Sequence, residues 1–290
     1  MRAVRHADPP RALHEPLKPL LPPLPARAAA PRLRQRLLRL DAAGPLARSC
    51  RVGYVRAFCV SCSVTGMTPR TPPLLTEAAE YKGETAVVVA CTQLGSKYSS
   101  SGAKRVLDGW VDLLLSPTSI TDLQFTTRTP HRLFAALTGQ PQLNRLVVKW
   151  GDYADLTPIG AMTALRTLEL RGAAKVNDLR PLGSLKHLEH LVLEGFDTIE
   201  DPSPLRGLSM LRALELGGKW MTPRNGHISS IGFLAELPGL ESILLHTLVV
   251  DDKDYSPLLE LPRLKSVRVM KTRGMRPPVE ELRRRLPWNG

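Results

Sequence analysis

The chain has 290 residues, 43% of them hydrophobic but only 5% aromatic, with a formal net charge of +13. That length accommodates one or two domains and a sizeable core. The charge is uneven: residues 1–66 hold eleven Arg and one Lys against Asp8, Glu15 and Asp41, a net +9 that leaves +4 for the remainder. The basic balance therefore describes a tail, which argues against reading the folded part as a polyanion binder.

Residues 1–66 are dominated by Arg, Ala, Pro and Leu, and prolines from Pro9 to Pro31 break helix and sheet alike. Only Arg32 to Leu40 has the makings of a short basic helix. Three readings fit this segment. It is a disordered basic arm, an arginine-rich targeting segment, or untranslated sequence ahead of a start at Met67, since these are residues of GC-rich codons. Cys59 and Cys62 form a CxxC, but no second Cys or His pair completes a zinc site, and no strand–helix frame makes it a redox motif. Val52 to Val64 is too short to cross a bilayer and contains Arg56. With no transmembrane helix and no uninterrupted apolar leader, the expected location is the cytoplasm.

From Met67 the texture changes. Thr85 to Cys91 is β-branched and apolar and reads as a strand. Ala103 to Leu115 has helical spacing at Val106, Leu107, Trp110, Val111 and Leu114. Residues 67–119 thus read as an N-terminal cap of strand plus helix. The loop Gly95–Lys104 between them resembles a phosphate loop only loosely. Six residues separate its glycines where four are needed, and the Lys-Ser/Thr ending is missing.

Beyond it, an apolar-x-apolar pair recurs seven times: Leu123/Phe125, Leu146/Val148, Leu168/Leu170, Leu191/Leu193, Leu214/Leu216, Ile243/Leu245 and Val267/Val269. The steps are 23, 22, 23, 23, 29 and 24 residues. A period in this range marks a solenoid whose units bury their apolar faces by stacking. Each pair predicts a short strand with one buried face. Each is followed by punctuation such as Asp178-Leu-Arg-Pro181-Leu182, repeated from Asp155, Asp201 and Asp254 and more weakly from Ser230. An Asp here suits an N-cap, and the proline falls in a first turn whose amides need no intrahelical partner.

Leu165, Leu168, Leu170, Val176, Asp178, Leu179, Pro181 and Leu182, with their equivalents, resemble the leucine-rich repeat family in its short-repeat, internalin-like branch. The resemblance spans about half of the chain and implies an α/β solenoid. Each repeat would carry one short parallel strand and a short helical or extended return. The family's Asn, Cys or Thr three residues after the second strand leucine is largely missing. Those positions hold Gly151, Ala173, Phe196, Lys219, Leu248 and Thr272. Repeats are expected over residues 120–274, and Pro278 to Leu286 reads as a C-terminal cap helix within residues 275–290.

Residues flanking each pair are expected on the sheet's concave face. Their mixed charges, with Val147, Val192 and Leu244 between the pair members, suit an unknown protein partner better than a phosphate backbone. The long fourth repeat contains Trp220, Met221, Arg224 and His227, residue types that include those enriched at binding centres. Trp220 fits a contact or a plug in the solenoid equally. The candidate partner-binding residues are Lys149, Arg171, Glu215, Trp220, Arg224 and His227. No histidine pair, calcium loop or nucleophile triad stands out, so no catalytic residue, metal or cofactor is assigned. The expectation is a monomeric, non-enzymatic protein-interaction module. The alternative is a regulatory or effector protein whose basic N-terminal arm engages nucleic acid or an anionic membrane.

Overall fold

The computed structural model describes residues 71–219 and 224–289. The segment 1–66, its CxxC and Trp220 lie outside the described residues. The strands are β1 (Leu74–Leu75), β2 (Ala86–Val89), β3 (Asp122–Thr129), β4 (Arg145–Gly151), β5 (Thr167–Leu170), β6 (His190–Glu194), β7 (Thr198–Ile199), β8 (Ala213–Gly217), β9 (Gly226–Ile228), β10 (Ser242–His246), β11 (Leu248–Val250) and β12 (Ser266–Val269). One parallel sheet runs β1-β2-β3-β4-β5-β6-β8-β10-β12, and a small second sheet runs β11-β9-β7.

Each predicted apolar pair stands in register with the next. Leu123 faces Leu146, then Leu168, Leu191, Leu214, Ile243 and Val267 follow in one line. All fourteen side chains are at most 5% exposed. Register is strict because a slip by one residue would turn every leucine to solvent. The 29-residue step leaves it unchanged, with Leu214 facing Ile243 and Leu216 facing Leu245. This is a leucine-rich-repeat solenoid.

The apolar line extends further back than the seven repeats. Val87 and Val89 of β2 face Leu123 and Phe125. Helix α1 (Ser100–Leu114) follows, started by Ser99, whose hydroxyl accepts from the Gly102 amide at 3.1 Å. It buries Val106, Trp110 and Leu114. The Trp110 indole donates to the Thr76 carbonyl at 2.8 Å, so its one polar atom is satisfied in the core.

Two short helices, α2 (His131–Ala135) and α3 (Thr157–Gly160), and a series of 3-10 turns carry the chain back. Here the aspartates stand one residue ahead of the expected N-cap, which Leu156, Leu179, Pro202 and Tyr255 occupy. Their carboxylates nonetheless accept from the first helical amide. The bonds are Asp155 to Thr157 at 2.8 Å, and Asp178 to Arg180, Asp201 to Ser203 and Asp254 to Ser256 at 2.9 Å each. Ser230 does the same for Gly232 at 3.0 Å. The aspartate closes a side-chain turn that sets the following backbone for a helical start.

The missing side-chain ladder is replaced by backbone. Gly172 and Gly195 turn the corner after β5 and β6 at φ +63° and +84°, where a side chain would be strained. The Ala173 amide then donates to the Glu194 carbonyl at 2.8 Å, and Gly195 donates to Gly217 at 2.9 Å. Ala173, Phe196 and Leu248 turn inward and are buried. At the far edge, helix α4 (Val279–Arg285) buries Val279 and Leu282. The chain then passes along β12, where the Val267 amide donates to Pro287 and the Asn289 amide donates to Val267, both at 3.0 Å. An otherwise bare sheet edge is covered there.

Candidate functional site on the open sheet face

In each strand the apolar pair points into the core, so the residues before, between and after it line the other face. Two features separate this face from a merely solvated sheet. Val192 and Leu244 are half-buried in its middle column, and Val147 is 6% exposed. Around them, charges are paired with one another from strand to strand.

The pairing starts at Asp122 of β3, whose carboxylate meets the Arg145 guanidinium at 3.0 Å. Arg145 also reaches Glu169 on β5 at 3.5 Å. Glu169 accepts from Arg171 at 3.1 Å, and Arg171 continues to Glu194 of β6 at 2.8 Å and to Glu215 of β8 at 3.8 Å. On β10, Nε2 of His246 lies 3.2 Å from Glu194 and 3.3 Å from Glu215. One chain of contacts thus links six strands. Glu194, expected on the open face, is only 4% exposed because its neighbours cover it.

These contacts set the protonation states. For His246, burial alone would lower the pKa, but bonds to Glu194 and Glu215 outweigh it and hold the imidazole at about 9. Burial alone would raise Glu194, yet His246, Glu215 and Arg171 hold its carboxyl well below the usual range. Glu215 shifts upward because burial and the adjacent Glu194 carboxylate both disfavour its charge, more than His246 compensates.

Of the residues expected at the site, the structure brings Arg171 and Glu215 together. Lys149 lies exposed at the end of the β4 pair, beside Trp150, which is 37% exposed. Arg224 is exposed just before β9. His227 belongs to the second sheet, where its Nδ1 meets Asp251 at 2.7 Å. Trp220 is not described. The alternation places Arg145, Glu169, Glu194 and His246 on this face as well, but nothing in their own residue types singles them out as site residues. The readable signal was Gly217, the one glycine in a column otherwise filled by Thr126, Lys149, Arg171, Glu194, His246 and Met270.

The depression between α1 and β3 lies where the phosphate-loop reading failed. It is lined by Cys91, Lys104, Arg128 and Arg132 among others. Arg128 is paired with Asp152 at 2.7 Å and Arg132 with Asp108. Both guanidinium groups are already neutralised. Cys91 is a buried thiol pushed up to about 12 by burial, which leaves it inert as a nucleophile. Among the described residues, no helix is long and apolar enough to cross a membrane.

No protein-family model matches the chain, and no curated protein matches its sequence. Solved structures similar to it include an internalin (inlF) from Listeria monocytogenes, 19% identical, covering 59% of this chain and 44% of that one at a TM-score of 0.40. An internalin C2 from the same organism is 23% identical, covering 56% and 64% at 0.40. A leucine-rich-repeat protein from Leptospira interrogans is 18% identical, covering 57% and 40% at 0.43. The matches span less than two thirds of each of those chains.

Proposed function

We propose that this leucine-rich-repeat solenoid is a non-enzymatic protein-interaction module that binds a protein partner through its open sheet face. The observation that carries the reading is the self-neutralised charge row, from Asp122 through Arg145, Glu169 and Arg171 to Glu194 and His246, set around Val147, Val192 and Leu244. A partner covering this face would not strand a lone charge in an apolar contact, which is the expensive outcome. A polyanion, by contrast, needs unpaired cations of one sign. The parallel sheet also fixes these side chains before binding, so little ordering entropy is lost.

Lys149, Arg171 and Glu215 are the partner-binding residues of the face. The proposed surface also takes in Trp220 and Arg224 of the fourth repeat and His227 of the second sheet. Within this reading, residues 120–274 form the binding body, and residues 67–119 and 275–290 shield its ends. The protein acts as a monomer in the cytoplasm.

The experiment is a pair of variants, Val192→Gln and Leu244→Gln, which add no charge beside Glu215, compared with wild type in affinity capture from native lysate with quantitative mass spectrometry. Both positions are half-buried on the open face, so melting should change little. A partner captured by wild type should fall at least about tenfold with either variant. Equal capture by all three proteins would remove the face from the site.

A further inference from the structure

From the same face, but independently of any protein partner, we infer that Glu194, Glu215 and His246 form a binding site for a divalent transition-metal ion of the Zn2+ class. The three donors come from adjacent strands of the sheet. Glu194 of β6, Gly217 of β8 and His246 of β10 share one register line, and Glu215 stands two residues earlier on the middle strand. Position 217 carries no Cβ. One built there would lie 2.2 Å from Cε1 and 2.4 Å from Nε2 of His246. Glycine is therefore what lets the imidazole lie across β8 and reach a carboxylate two strands away.

The donor geometry matches an ion. Nε2 is 3.2 Å from one Glu194 oxygen and 3.3 Å from one Glu215 oxygen, and all three donor atoms lie within 4.8 Å of one another. Two ligands each about 2.1 Å from a zinc ion stand about 3.4 Å apart at the tetrahedral angle. An ion there takes the place of the proton that Nε2 shares with the two carboxylates, and that proton leaves to solvent as the ion enters.

On His246 and Glu194 the atom turned away from that centre is held by another group, as outer partners hold the ligands of metal sites. Nδ1 of His246 meets the Thr247 hydroxyl at 3.2 Å, which orients Nε2 toward the carboxylates. The second Glu194 oxygen accepts from Arg171 at 2.8 Å. One imidazole with two carboxylates suits Zn2+ and Co2+ rather than a soft ion that prefers thiolate. The side chains of His246 and Glu215 are 13% and 22% exposed, which gives an ion a route from solvent.

The test uses the full-length chain, stripped with a chelator and dialysed, then titrated with Zn2+ by calorimetry and with Co2+ by visible absorption. One ion per chain is expected, with Co2+ giving the intense bands of a four- or five-coordinate protein site. Glu215→Gln preserves side-chain shape and should weaken binding at least about tenfold, and His246→Ala should do the same or more. His187→Ala, at an exposed histidine of a return turn whose Nδ1 meets the Thr163 carbonyl, should leave binding unchanged. Melting curves confirm that each variant is folded, and Glu215→Gln alone decides the matter if His246→Ala is not. Absence of binding, a weak six-coordinate Co2+ spectrum, or equal affinity in wild type and Glu215→Gln overturns the assignment.

Discussion

Had position 217 carried a methyl group, it would stand against the His246 ring, and the link from β6 to β10 could not form. Gly217→Ala is therefore expected to lower stability by about 1–3 kcal/mol, the usual cost of overpacking, although alanine suits a strand better than glycine. Urea denaturation reads the change directly, and an unaltered midpoint would mean that His246 lies elsewhere. The aspartates that open the return turns give a second residue-scale prediction. Bonds from residues two positions on hold the carboxyls of Asp155, Asp178, Asp201 and Asp254 below their ordinary value. A depressed carboxylate stabilises the fold above its unfolded pKa of about 3.8, and that stability is lost as pH falls through the folded value. Asp178→Ala should lower the melting temperature by about 2–4 °C at neutral pH, with Asn retaining most of it. The difference from wild type should shrink below about pH 3.8. A constant difference from pH 7 to pH 3 would assign the loss to something other than the charged turn. These aspartates were legible because the motif repeats with its proline. The His246 cluster was not, because its partner Glu194 is 52 residues away and the pairing depends on register across a long insertion.

At the scale of one strand, the alternation of Leu191 and Leu193 was enough to locate β6, its register and its buried face. The strand is bracketed by Leu168 and Leu214 in the same line, so a charge at Leu191 would be buried among leucines. Leu191→Asp should cost several kcal/mol, comparable with the stability of a whole domain. Loss of the cooperative thermal transition by circular dichroism is the expected result. Wild-type melting would show that the side chain is not in the core. The second sheet was invisible beforehand for a physical reason. Strands β7, β9 and β11 contain two or three residues each, too few for any periodicity to register. Their pairing follows from the stacking of repeats rather than from local preference. Strand β9, in the fourth repeat, lies between β7 and β11.

Across the whole molecule, stacking makes each repeat depend on its neighbours, and the reading of residues 1–66 as separate from that stack rests on composition. Deleting them should leave the melting temperature of the remainder unchanged, and differential scanning calorimetry would expose a contribution as a fall of several degrees. The repeats also fix which side chains face outward, and that arrangement carries the functional reading. Because the face is defined strand by strand, a single position can report on it. A photo-reactive amino acid placed at Val192, in the middle of the open face, should yield a discrete cross-linked adduct with a partner protein in living cells. The same group at Arg206, exposed on a return turn, should yield none. Adducts from position 206 without any from position 192 would contradict the assignment of binding to the open sheet face.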